Sequence, residues 1–430
     1  MKYLPIDSSL FTENRQRLVN LLKPGSLVVL NSNDRMPTNA DGTMNFVQNS
    51  DLFYLSGIDQ EETILMLFPD FPDENFREIL FLRETNEEIA IWEGHKYTKA
   101  EATETSGVEK ICWLSQFDRI FSMLMSQAEH VYLNTNEHMR AEASVQTRDF
   151  RFIQRCQERF PLHCYERVAP LMYQLRAVKS ALEVQLLQQA CDITQQAFRR
   201  VLAFVQPGVM EYEIEAEYLH EFVRNRSRGF AYEPIVASGG NACVLHYIEN
   251  NDVCQAGDLI LMDVGAEYAN YNADMTRTIP VSGRYTDRQK AVYNAVLRVK
   301  REAMQLLQPG SVIREYHKEV GKIMESELIG LGLLDRQEVQ EQDEKHPLYR
   351  KYFMHGTSHH LGLDVHDVGN IYRTFESGMV FTVEPGIYIR EENLGIRLEN
   401  NIVIQANGIY DLMQDIPIEI EEIETLMHEK

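Results

Sequence analysis

Two stretches of this chain, 102 residues apart, follow one pattern, and that repeat constrains the fold more than any other feature. In the first, Ser180 stands three residues ahead of Glu183, the arrangement in which a hydroxyl and a carboxylate cap a helix start reciprocally. A helical pattern runs from about Ala181 to Val205 and stops at Gln206-Pro207-Gly208. In the second, Thr286 stands three residues ahead of Gln289, a helical pattern runs to Leu307, and the chain stops at Gln308-Pro309-Gly310. A further helix begins after each stop, near Glu211 and near Ile313, and apolar strands follow each. We read this as an internal duplication of an α-α-β-β unit. Two such halves would set their strands side by side, with helices over one face and a crevice between them.

A chain of 430 residues exceeds one ordinary core, so two domains are expected. Residues 1–175 alternate apolar strands with helical stretches, as in Ser26–Leu30, Ile64–Phe68 and Glu78–Leu82, with a helix near Phe117–Gln127. We expect a smaller α/β domain there, and a larger domain holding the duplication over 176–430.

The formal net charge of −23 sets the repertoire of partners. A surface this negative repels phosphate backbones, which argues against nucleic acid. No stretch approaches the roughly 18 apolar residues of a membrane span, and the first residues lack the apolar run of a secretion signal. The six cysteines form no CxxC pair and fit buried free thiols in a reducing compartment. The expected location is the cytoplasm.

Four places in the larger domain put reactive groups where a structural role is strained. The apolar strand Asp258-Leu-Ile-Leu-Met-Asp263 runs into an acid, and Asp274 follows eleven residues later. Gly265 permits a hairpin between them, which would bring the two carboxylates together; such a pair repels unless a cation intervenes or one takes a proton. The segment His355-Gly-Thr-Ser-His359-His360-Leu-Gly-Leu-Asp364-Val-His366 holds four of the thirteen histidines. A third strand, Val380-Phe-Thr-Val-Glu384, ends on an acid at a Pro-Gly turn. In Gly395-Ile-Arg397-Leu-Glu399, the two-residue period places Arg397 and Glu399 on one face. Glu384 and Glu399 could pair across a second hairpin. Two Asp, two Glu and one His, with no thiolate, form an oxygen-rich set that suits Mn²⁺ or Co²⁺, with Zn²⁺ possible. Two divalent ions would balance four carboxylates and could hold a bridging hydroxide of lowered pKa.

At these residues the sequence resembles the Xaa-Pro aminopeptidases (aminopeptidase P), in a group that also contains prolidase and methionine aminopeptidase. MDVGAEYANYNADMTRT, HGTSHHLGLDVHDVG, TVEPGIYI and GIRLENNIVI match the family blocks in order and spacing. The resemblance implies a pita-bread α/β (α+β) fold built from a duplicated half, preceded by a smaller α/β domain involved in oligomerisation and substrate access. It implies two divalent metal ions, Mn²⁺ first, held by Asp263, Asp274, His359, Glu384 and Glu399. It implies catalytic roles for His366, Glu384 and His246, the last as a substrate-binding histidine. His355, Tyr388 and Arg397 would belong to the proline pocket and its surroundings. Trp92 would be offered to a neighbouring subunit's site, and Asp41 is a candidate of the same kind, so a homodimer or homotetramer is expected. The implied reaction is release of the N-terminal residue from peptides with proline second.

The chain departs from the family pattern at His360, where a bulkier residue is usual, at Asn400, where an acid is common, and in the short stretch Arg390–Gly395. The alternative is prolidase, restricted to dipeptides; Ser358, where prolidase usually has glycine, favours the aminopeptidase. Metal-free relatives of the creatinase type, and non-catalytic modules on the same fold, should lack the five ligands.

Overall fold

Local signals in the sequence become the frame of the molecule. In the computed structural model, which describes residues 2–141 and 144–429, both capping boxes form. Ser180 caps the helix Ala181–Phe204 with Glu183 returning the bond, and Thr286 caps Asp287–Leu306 with Gln289. Each helix ends at its Pro-Gly pair, where Gly208 and Gly310 take φ values of +95° and +92°. Glycine reaches that conformation without the clash a Cβ would cause.

The chain divides into two compact units, Tyr3–Arg176 and Ala177–Lys430. In the first, six strands form one mixed sheet: β1 (Ser26–Asn31), β2 (Ile64–Leu67), β3 (Glu78–Leu82), β4 (Lys110–Trp113), β5 (His130–Leu133) and β6 (Cys164–Arg167). Their spatial order is β4-β3-β2-β1-β5-β6. The middle pairs β1–β2 and β2–β3 are antiparallel and the outer ones parallel. The apolar face of helix Phe117–Met125 packs on this sheet, with Phe81, Phe117, Phe121 and Phe152 in one cluster. Five cysteines are buried as expected; Cys164, on the edge strand β6, is exposed. None of the four residues of β6 is buried, so its side chains are only partly covered. Among the described residues no helix is long and apolar enough to cross a membrane.

A buried acid in this unit yields a pH prediction. Asp149 accepts a hydrogen bond from Asn31 Nδ2 at 2.9 Å. Burial, with the nearby charge of Asp51 adding to it, raises its carboxyl to about 7. At this group the folded chain therefore holds a proton that the unfolded chain gives up between about pH 4 and 7. This group's stabilisation is full below that window and is lost as pH rises through it. Asp149→Asn keeps the acceptor and removes the titration. The fall in melting temperature between pH 5 and pH 8 should shrink by a few degrees in the variant. An unchanged fall would show that Asp149 is already ionised at pH 5.

In the second unit the duplication is visible in the backbone. Helices Ala181–Phe204 and Glu211–Arg224 are matched by Asp287–Leu306 and Ile313–Gly330. Gly208 N donates to Cys254 O and Gly310 N to Phe375 O, both at 2.9 Å. Met210 bridges Val253 as Val312 bridges Thr374. The first half supplies β7 (Ile235–Ser238), β8 (Leu259–Val264), the short pair β9 (Glu267–Tyr268) and β10 (Tyr271–Asn272), and β11 (Met275–Pro280). Its main sheet runs β11-β8-β7, all antiparallel. The second half supplies β12 (Val380–Val383), β13 (Gly386–Ile389), β14 (Leu394–Arg397), β15 (Asn400–Gln405) and β16 (Gly408–Asp411). They form the sheet β12-β15-β16 and the hairpin β13–β14.

Candidate metal centre

Strand register decides which acids meet. On β8 and β11, Asp263 pairs with Thr276 and Val264 with Met275. Asp274, just before β11, then falls on the same face as Asp263, one diagonal step away. Gly265 makes that approach possible, since a Cβ there would stand 1.8 Å from Ala273 O, while the turn itself lies at Ala269 and Asn270, with φ of +54° and +67°. In the second half, Val383 pairs with Asn400 and Gly386 with Arg397. Both pairs obey one register, and that register sets Glu384 opposite Glu399. His359 comes from the loop ahead of β12, where its backbone N donates to Thr382 Oγ1 at 3.2 Å.

These five side chains converge. Tyr232 OH lies 2.6 Å from both Asp263 Oδ1 and Asp274 Oδ1. His359 Nε2 lies 3.4 Å from Asp274 Oδ2 and 3.5 Å from Glu384 Oε1. One ligand atom each from Asp274, His359 and Glu399 fall within 4.8 Å of one another. Thr276 Oγ1 donates to Glu399 Oε2 at 2.6 Å, while Glu399 Oε1 is buried with no hydrogen-bond partner among the described residues.

Electrostatics show what such a cluster calls for. Burial pushes the carboxyls of Asp263, Glu384 and Glu399 upward, and the charge of Asp274 adds to the rise in all three. Burial opposes a charge on His359, but its contact with Asp274 and the charge of Glu384 outweigh it and lift the ring to about 9. Crowded, desolvated acids take up protons unless a cation lies among them. A partnerless buried oxygen in a set of four carboxylates and one imidazole fits divalent metal. Arg397 revises the charge balance read from the sequence. Its Nη2 lies 2.5 Å from Asp263 Oδ2, so the protein supplies one positive charge itself.

The other expected residues are placed as follows. The rings of His366 and His359 stack, with centroids 4.0 Å apart. Arg397 is buried and donates to Thr276 Oγ1, Tyr388 OH and Asp263. Because Tyr388 OH accepts from Arg397, its own proton goes to His355 Nε2 at 2.8 Å. His355 Nδ1 then donates to Gly356 O at 2.8 Å. Both ring nitrogens are used by a neutral imidazole, and burial with the charge of Arg397 lowers the ring to about 3. His246 is exposed on the loop after β7, close enough to His355 to act on its charge. Trp92 and Asp41 lie in the first unit, both exposed, Trp92 by 84%.

Sequence reasoning missed Tyr232, Thr276 and Asn401. Tyr232 is set beside the acids because Ala231 N donates to Gly265 O at 2.8 Å. Asn401 clamps Asp274 at both backbone ends, accepting from its N at 3.0 Å and donating to its O at 2.6 Å. The run Glu399-Asn400-Asn401 was the one available signal, since two adjacent amides are unusual inside a buried strand.

Residues 185–406 match the model of metallopeptidase family M24, and residues 11–132 match that of the aminopeptidase P N-terminal domain. The chain is 36% identical to the Xaa-Pro aminopeptidase of Escherichia coli (strain K12), with 97% of each covered. It is 34% identical to that of Haemophilus influenzae, again over 97% of each. Among solved structures, E. coli aminopeptidase P in its low-pH form superposes with a TM-score of 0.89 at 34% identity, with 99% of both chains covered. Aminopeptidase PepP of Pseudomonas aeruginosa also gives 0.89, at 31% identity and the same coverage. A zinc-substituted E. coli aminopeptidase P holding product gives 0.87.

Proposed function

The chain belongs to metallopeptidase family M24, in its aminopeptidase P branch, and from that premise we propose how its own residues divide the work. It is a metal-dependent aminopeptidase that releases the N-terminal residue of peptides with proline in second place. The dipeptidase reading is not favoured, because the E. coli and H. influenzae relatives that match over 97% of both chains are Xaa-Pro aminopeptidases. The observation that carries the reading is the meeting of Asp263, Asp274, His359, Glu384 and Glu399, with Glu399 Oε1 buried and without a hydrogen-bond partner among the described residues.

These five side chains are assigned as ligands of two divalent ions, Mn²⁺ first, with Co²⁺ or Zn²⁺ as alternatives. Such ions supply Lewis acidity and lower the pKa of nearby water. Glu384 stands between the ligand cluster and the pocket wall, 3.5 Å from His359 Nε2 and 3.8 Å from His355 Nδ1. From there it can take a proton from attacking water and deliver it to the leaving nitrogen. That delivery is required, because proline's amide nitrogen carries no hydrogen and leaves as an amine. His366, held by its stack on His359, stabilises the oxyanion with help from His246. His355 is neutral and joined to Tyr388, so the two suit an uncharged pyrrolidine ring. Arg397 locks Tyr388 to Asp263 and keeps pocket and ligands in register.

The first unit is assigned to oligomerisation and substrate access, with exposed Trp92 and Asp41 offered to a neighbouring subunit in a homodimer or homotetramer. The enzyme is assigned to the cytoplasm. The test is turnover of a tripeptide X-Pro-Y, a dipeptide X-Pro and a control X-Ala-Y, after chelation and after return of Mn²⁺, Co²⁺ or Zn²⁺. Cleavage of X-Pro-Y to X and Pro-Y, restored by metal, is expected. Cutting of the dipeptide alone, or undiminished activity in chelator, would overturn the assignment.

A further inference from the structure

One buried carboxylate outside the ligand cluster has a bonding pattern that stability alone does not explain. Glu211 opens the helix Glu211–Arg224 and is fully buried. Among the described residues no lysine or arginine pairs with it. Instead it accepts five hydrogen bonds. Oε1 takes Ser238 N and Ser238 Oγ, both at 2.7 Å, and Asn241 Nδ2 at 3.3 Å. Oε2 takes Tyr247 OH at 2.7 Å and Asp252 N at 3.0 Å. The helix also holds the chain from the backbone, because Glu211 N donates to Asp252 O at 3.0 Å.

These donors are spread in an informative way. Ser238 is the last residue of β7, and Asp252 lies just before the Met210–Val253 bridge. Between them runs the loop that carries His246. Glu211 therefore grips that loop at its entry, at its exit and, through Tyr247, at the residue next to His246. Tyr247 is kept protonated by burial and by its bond to Glu211, so it remains a donor. On its far side the loop packs against the pocket wall: Ala242, Cys243 and Tyr247 share an apolar cluster with Tyr388. Gly395 permits the approach, since a Cβ there would stand 2.3 Å from Ala242 O.

Burying a carboxylate without a cation is costly, and an apolar contact would close a loop at lower cost. What five directed bonds add is a fixed geometry. We propose that Glu211 is a positioning residue: by gripping four residues of the 238–252 segment it sets His246 at the distance from His355 and Tyr388 at which a bound peptide is held and its carbonyl polarised. This inference rests on the aminopeptidase reading and deepens it. The residue touches neither ligands nor substrate and acts only through the loop.

The test is a double-mutant cycle on X-Pro-Y turnover by the metal-loaded full-length enzyme. Glu211→Gln keeps the size but places an N–H₂ where acceptors are needed. It should lower kcat/KM about ten-fold or more, the scale of losing an outer-shell partner, with bound metal unchanged. In a His246→Ala background the same substitution should have almost no further effect, because the group it positions is gone. Tyr247→Phe removes only the middle grip and covers the case in which Glu211→Gln does not fold; a several-fold loss, again absent beside His246→Ala, is expected. A merely structural anchor would lower the melting temperature with kcat/KM intact, or give losses that multiply with that of His246→Ala; either result overturns the inference. Failure of the wild-type enzyme to cut X-Pro-Y would overturn the aminopeptidase reading first and this inference with it.

Discussion

Replacing Asp274 by alanine should abolish metal retention and turnover together. Asp274 is the hub of the cluster: one oxygen faces Tyr232 and Asp263, the other lies 3.4 Å from His359. With His359 and Glu399 it forms the tightest group of ligand atoms. The loss should exceed the roughly 10–100-fold that follows removal of an outer-shell partner. It should not come from misfolding, because Asn401 holds the backbone of residue 274 from both sides whatever its side chain. The charge of Asp274 also raises the carboxyls of Asp263, Glu384 and Glu399. Its removal relieves repulsion in the metal-free protein. The apo variant should therefore melt no lower than the apo wild type, whereas the rise in melting temperature that added Mn²⁺ gives the wild type should vanish. Metal analysis, thermal melts with and without Mn²⁺, and X-Pro-Y turnover measure the three arms. A variant that turns over X-Pro-Y in chelator at the rate of the metal-loaded wild type would refute the assigned ligands.

The contrast between Asp274 and Tyr232 shows what can be read from a chain and what cannot. The acids stand at the ends of apolar strands, and a strand's two-residue period fixes their face, so Asp263 with Asp274 and Glu384 with Glu399 could be paired by counting. The capping pairs Ser180–Glu183 and Thr286–Gln289 are equally local, as are the two Pro-Gly stops, and the helices they bound form within a residue of where the pattern puts them. The order β4-β3-β2-β1-β5-β6 was not legible, because its parallel neighbours are joined only by tertiary packing. Tyr232 reaches the acids because its neighbours Phe230 and Ala231 pair with Ala266 and Gly265, and the five donors of Glu211 are gathered from a stretch beginning 27 positions away. Such contacts leave no periodic trace. Nor do hydrogen bonds that exist only once two halves have closed on each other, such as that of Arg277 Nη1 to the Glu399 carbonyl.

A second large effect is expected at Lys179. Its Nζ lies 2.9 Å from Asp367 Oδ2 across 188 positions of sequence, and both side chains are 1% exposed. The fit is tight enough to require glycine at 362, where a Cβ would stand 2.1 Å from Asp367 Oδ2 and 3.0 Å from the lysine stem. Asp367 in turn shapes its own loop, accepting from Val368 N at 2.9 Å, while its backbone N donates to His360 O. That loop presents His366 to His359. Lys179→Met keeps the apolar stem but removes the cation that faces Asp367 Oδ2. The expected cost is about 3–5 kcal/mol, because one half of a buried pair is worse than none. Asp367→Asn added to it should recover a large part of that loss, since a neutral amide no longer needs the cation. Denaturant unfolding of the two variants beside wild type measures both steps. Turnover should fall in Lys179→Met even where the chain is folded, because the residue next to the displaced carboxylate is His366. If instead the single variant unfolds within about 1 kcal/mol of wild type, the range of an exposed pair, then water reaches Asp367 and the loop is held by something other than this ion pair.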